Sequence, residues 1–77
     1  MQLKEQIRIS RNLWDRFGLT PAEIIITDDL MEGLSPNQIA VSEHKSLNTI
    51  RGQVQTLREK FNSHTTNQLI TKLYQEN

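Results

Sequence analysis

Ser35-Pro36-Asn37-Gln38-Ile39-Ala40, continuing through Ser46-Leu47-Asn48-Thr49-Ile50-Arg51 to Glu59-Lys60, is the stretch that decides the fold. Two helix-start signals sit eleven residues apart within it. At the first, Ser35 suits the N-cap, Pro36 suits the first helical position, where its missing N–H is not needed, and Gln38 is placed to close a capping box. At the second, Ser46 caps a helix whose apolar residues are Ile50, Val54, Leu57 and Phe61. Their spacings of four, three and four put all four side chains on one face. The first helix must end near Glu43 or His44 to leave room for the second cap. A short helix, a tight connection and a longer helix with a polar outer face form a helix-turn-helix pattern, and that pattern makes DNA binding the leading functional expectation.

Upstream, Thr20-Pro21-Ala22-Glu23 repeats the design at Ser35, a capping box with proline at the first helical position. The helix it opens is expected to reach about Glu32 and end at Gly33, burying Ile26, Leu30 and one of Ile25 and Met31. The three consecutive isoleucines also suit a strand, but the caps on both sides and the polar Asp28-Asp29 pair favour a helix. Residues 2–17 carry Leu3, Ile7, Leu13, Trp14 and Phe17 on one broad stripe and read as a further helix stopped by Gly18. Trp14 and Phe17 are expected to pack on the following helices, with a dimer contact or a contact to a further domain as the alternatives.

Downstream, Leu34 should anchor the turn before the short helix, while Ile39 and Ala40 face the core and Val41 is partly covered. Asn62 suits a helix end because asparagine tolerates the left-handed conformation. Thr65 with Gln68 forms another capping box, opening a last helix from about Thr66 to Tyr74 with Leu69, Ile70 and Leu73 as its apolar residues. The fold class expected is all-α, a small helix-turn-helix bundle of four helices over 19–77 preceded by an extra N-terminal helix over 1–18.

At 77 residues the chain makes one small domain, and the absence of cysteine excludes disulfides and thiolate metal sites. No apolar run approaches the roughly 20 residues that span a bilayer, and the charged N-terminal segment is not a secretory signal, so a soluble, cytoplasmic protein without membrane association is expected. The formal net charge is zero, yet its distribution is uneven. Residues 1–43 hold four basic against seven acidic groups; residues 44–77 hold five basic groups against Glu59 and Glu76. The half bearing the second helix is thus positive by three, which is compatible with one face meeting phosphate.

Catalytic chemistry finds little support. There is no nucleophile–base arrangement, glycine-rich phosphate loop or metal-ligand set, and no cofactor is implied. Asp28 and Asp29 diverge by about 100° as neighbours on a helix and read as a solvated acidic face rather than as ligands. His44 and His64 have no ligand partner at metal spacing and read as turn or cap residues.

From Leu19 to about Leu73, some 55 of the 77 residues, the sequence resembles the LuxR/GerE-type helix-turn-helix domain of bacterial transcription regulators. The resemblance rests on Leu19-Thr20-Pro21-x-Glu23, Gly33-Leu34-Ser35, Gln38-Ile39-Ala40, Ser46-x-x-Thr49-Ile50-Arg51, Leu57-x-x-Lys60-Phe61 and Gln68-Leu69-Ile70, in register without a gap. It implies a four-helix domain whose third helix, about 47–61, enters the major groove. Arg51, Gly52 and Gln55 match the positions that face base edges; Ser46, Asn48, Thr49, Gln53 and Lys60 match those at or near the phosphates. The resemblance further implies a homodimer through the last helix, around Thr66, Gln68, Ile70 and Lys72, binding an inverted repeat. RNA polymerase or another regulator is implied as a further partner. The chemistry of the reading residues agrees, since arginine donates two bonds to guanine O6/N7 and glutamine pairs with adenine N6/N7. Gly52 either lets the helix backbone approach DNA closely or is an exposed position that tolerates a poor helix former. The chain departs from the family pattern at Glu43 and Lys45, where apolar residues are usual, and at His44, where the turn usually carries glycine. A protein-interaction module that keeps the fold but binds another regulatory protein is the alternative, favoured by the neutral charge, by Glu59 in the reading helix and by these departures.

Overall fold

The computed structural model describes residues 10–77, and these form five helices joined by short turns, with no strand among the described residues. They are α1 (Arg11–Phe17), α2 (Pro21–Met31), α3 (Pro36–Ser42), α4 (Leu47–Lys60) and α5 (Thr66–Glu76). Each start has a sequence-encoded cap. The hydroxyls of Ser10, Thr20, Ser35, Ser46 and Thr65 accept from the backbone N–H three residues on. At Thr20 and Ser35 the capping boxes close reciprocally through Glu23 and Gln38.

The helix expected over 2–17 does not run unbroken. Ser10 has an extended backbone (φ −75°, ψ 154°) and caps α1, so the described helix starts at Arg11; Leu3 and Ile7 lie outside the described residues. The α1 helix belongs to the same core as the rest. Leu13 is fully buried, Trp14 and Phe17 pack against the core, and the Phe17 and Phe61 rings stack with centroids 4.0 Å apart. Both its ends are tied to the end of α5: the Ser10 N–H donates to Asn77 Oδ1 (2.6 Å), and Arg16 in the last turn pairs with Glu76 (2.8 Å).

The α2 helix packs against α3, α4 and α5, and this corrects the reading of its faces. With neighbours on several sides it has no solvent face along most of its length. Ile24, Ile26, Leu30 and Met31 are buried, and so are Glu23, Thr27, Asp28 and Asp29. Of the two alternatives for a further buried position, Met31 is buried and Ile25 half-buried, and Ile24 is buried in addition. The Asp28-Asp29 pair is therefore not a solvated acidic face. Buried carboxylates need polar partners, and Asp28, Asp29 and the neighbouring Glu32 are each engaged in polar interactions.

The remaining core follows the periodicity. Ile39 and Ala40 of α3, Ile50, Val54 and Leu57 of α4 with Phe61 behind it, and Leu69 and Leu73 of α5 are all buried. The α3 and α4 helices pack against each other across the turn at residues 43–46. Inside that turn His44 adopts φ +57°, supplying the left-handed residue itself where glycine would be unstrained. Asn62 does the same (φ +52°) after α4, as its residue type suggests. The α5 helix is held to α2 by a hydrogen bond from the Tyr74 hydroxyl to the Met31 carbonyl. No helix among the described residues is long and apolar enough to cross a membrane.

Candidate nucleic-acid interface

The α4 helix divides cleanly. Ile50, Val54 and Leu57 lie in the core, and Asn48, Arg51, Gly52, Gln55 and Glu59 are exposed. Arg51, Gln55 and Glu59 follow Asn48 at intervals of three, four and four, Gly52 lies four after Asn48, and together they make one stripe along the helix. Arg51 and Gln55, one turn apart, put a guanidinium and a carboxamide side by side, two groups able to make paired hydrogen bonds to base edges. Neither side chain makes a hydrogen bond among the described residues, so both keep their full bonding capacity. At Gly52 an added Cβ would meet no atom within 4 Å, so packing inside the protein does not require glycine there.

The residues expected near phosphate divide into groups. Ser46, Asn48 and Thr49 are exposed at the start of α4. The Ser46 hydroxyl accepts from the Thr49 N–H (3.1 Å) and donates to the Thr49 hydroxyl (2.8 Å), so cap and candidate contact form one rigid unit. Gln53 is half-buried on the far flank. Lys60 is drawn away from the group: its ammonium donates to Glu23 Oε1 (2.6 Å) and to the Gly18 carbonyl (2.8 Å), joining the end of α4 to the start of α2. Burial alone would raise the Glu23 pKa, but the Lys60 hydrogen bond, the Thr20 N–H and the charge of Lys60 outweigh it and hold the pKa below its ordinary value.

The four residues expected at a subunit contact are similarly placed. Ile70 is half-buried against the core, and Thr66 is half-buried at the start of α5. Lys72 donates to the carbonyls of Phe61 (2.8 Å) and Asn62 (3.0 Å), where a cation offsets the negative end of α4. Gln68 does not close a capping box on Thr65; its carbonyl oxygen accepts instead from the His64 N–H (2.7 Å). The outward residues of α5 are Asn67, Gln68, Thr71, Tyr74 and Gln75.

Two basic residues were not singled out from the sequence as site residues. Lys45 is exposed in the turn before α4. Arg58 lies two turns beyond Arg51, so its spacing was the available signal; Nη1 donates to the His64 carbonyl (3.0 Å), which fixes its guanidinium against the loop before α5. The carboxylates of Asp28, Asp29 and Glu32 come within 4.8 Å of one another, but this cluster is on α2 and its members already have partners. Comparison with protein-family models, with curated proteins and with solved structures finds no match.

Proposed function

We propose that this chain is a sequence-specific DNA-binding transcription regulator in which α3, the turn at 43–46 and α4 act as a helix-turn-helix. The observation that carries the reading is the stripe on α4. Its inner face is anchored in the core by Ile50, Val54 and Leu57, while Arg51 and Gln55 stand exposed one turn apart beside a glycine. In this reading Arg51, Gly52 and Gln55 meet base edges, and Ser46, Asn48 and Thr49 sit at the phosphates that flank them. Two copies meet through the outer face of α5 and bind an inverted repeat. Selection from a randomised duplex pool tests this directly. Enrichment of a partly palindromic site by the wild type, lost in Arg51→Ala/Gln55→Ala, is the expected result; failure to enrich any sequence at low salt refutes it.

A second reading, a module that binds another protein, is favoured by one feature. Val41 of α3 is 78% exposed and lines one shallow groove with half-buried Leu34. Salt dependence separates the two, because displacement of condensed counterions from DNA makes affinity fall steeply with salt.

A further inference from the structure

Beside the α4 stripe, on its flank toward α3 and α5, lies a groove of about 330 Å³ lined by Pro36, Arg51, Val54, Gln55, Arg58 and Thr66. Among the described residues that line it, the two charged ones are arginines and none is a carboxylate. The nearest acidic residue on α4, Glu59, points about 100° around the helix from Arg58. Two guanidiniums on one concave surface repel each other, and a bound anion relieves that repulsion. Arg58 is oriented in advance by its bond to the His64 carbonyl, and its Nε, shielded from water, has no partner among the described residues. Thr66 and Gln55 add a hydroxyl and an amide on the same walls.

We infer that this groove is a phosphate-binding site, with Arg51 and Arg58 as the cationic pair, since the planar guanidinium fork matches phosphate oxygens. Assigning the phosphate to the DNA backbone rests on the function proposed above, and Arg51 then divides its five N–H donors between a base edge and that phosphate. The anion chemistry of the groove does not, and a free phosphorylated small molecule is its other source.

The full chain is titrated with inorganic phosphate, against sodium chloride at matched ionic strength, and followed by NMR at the arginine Nε–H and Thr66 amide signals. Saturable shifts with phosphate and not with chloride, lost in Arg51→Gln and in Arg58→Gln, are expected. Arg51→Gln leaves the Arg58–His64 tether intact, so its loss of response does not reflect a loosened loop. Duplex binding is then measured across a salt series, where Arg58→Gln should reduce the slope of log K against log[salt] by about 0.9. Saturable phosphate binding without duplex binding keeps the groove, assigns it to a free phosphorylated ligand and removes the DNA reading. Duplex binding with an unchanged slope and phosphate shifts that merely match chloride keeps the DNA reading and overturns the groove.

Discussion

Replacing Gly52 by alanine separates the two explanations for a glycine in the middle of the exposed stripe. Gly52 lies well inside the fourteen-residue α4, and the added methyl has open space around it. The folded state therefore gains the full difference in helix propensity, about 0.8–1.0 kcal/mol, with no packing cost to set against it. For a domain of this size such a gain raises the melting temperature by roughly 4–8 °C. The neighbouring bond from the Thr56 hydroxyl to the Gly52 carbonyl (3.1 Å) needs no rearrangement. If the glycine exists so that the α4 backbone can approach base edges, the same methyl must be accommodated at the protein–DNA contact. The variant should then be more stable and bind the selected duplex at least about tenfold more weakly, a loss of about 1.4 kcal/mol. Thermal and urea denaturation followed by circular dichroism, with fluorescence anisotropy on the selected site, reads both quantities from one preparation. Unchanged stability would refute the propensity argument. Raised stability with unchanged affinity would refute close approach and leave Gly52 as a tolerated poor helix former.

Three further substitutions test the frame that holds this face. His44→Gly removes a left-handed conformation that costs an L-residue about 1–2 kcal/mol, offset in part by the greater freedom of glycine in the unfolded chain, so urea denaturation should show a net gain of about 0.5–1 kcal/mol. Leu13→Ala should cost about 2–5 kcal/mol in the same assay, because Leu13 is fully buried and α1 is part of the core; a cost below 1 kcal/mol would make α1 dispensable. Glu23→Gln should lower stability by about 2 kcal/mol at pH 7 by leaving Lys60 without its anionic partner. Because the Glu23 pKa in the folded state lies below its ordinary value of 4.5, the wild-type advantage is present above that pH and disappears as pH falls through the lower folded value. Denaturation curves from pH 7 to pH 3 should therefore converge for the two proteins.

What the sequence made legible were interactions of short range. The Thr20–Glu23 and Ser35–Gln38 boxes and the buried face at Ile50, Val54 and Leu57 depend on residues three or four apart, and each appears as read. The α2 faces could not be read in this way. Isoleucines at 24, 25 and 26 give no helical phase, and the burial of Asp28 and Asp29 is a matter of tertiary packing that spacing along α2 does not encode. The internal partners of Lys60 are hidden from the sequence for a related reason. Its partner Glu23 is 37 residues away, and Glu23 already had a local task in the Thr20 box that its other interaction does not disturb. The break at Ser10 was carried by a good N-cap residue type, but the apolar stripe across 2–17 outweighed it. Gln68 reaches one residue further back than a capping box requires, a choice between two adjacent N–H groups that residue type does not determine.

The placement of the cations changes what the charge distribution means for DNA binding. Residues 44–77 carry five basic side chains, Lys45, Arg51, Arg58, Lys60 and Lys72. Lys60 is bonded to Glu23 and Gly18, and Lys72 closes the end of α4, so both already serve the fold. Lys45 and Arg51 remain for phosphate, and so does Arg58, whose bond to the His64 carbonyl uses one of its five N–H donors. Each neutralised phosphate contributes about −0.9 to the slope of log K against log[salt], so three cations give a slope of about −2.7 per protomer and five would give about −4.5. Between 50 and 200 mM salt the first corresponds to roughly a 40-fold loss of affinity per protomer and the second to roughly 500-fold. A salt series on the selected duplex, with stoichiometry fixed by sedimentation, distinguishes the two values. The lower slope is expected. A slope near −4.5 would mean that Lys60 and Lys72 leave their internal partners on binding, and that the frame around α4 rearranges when DNA arrives.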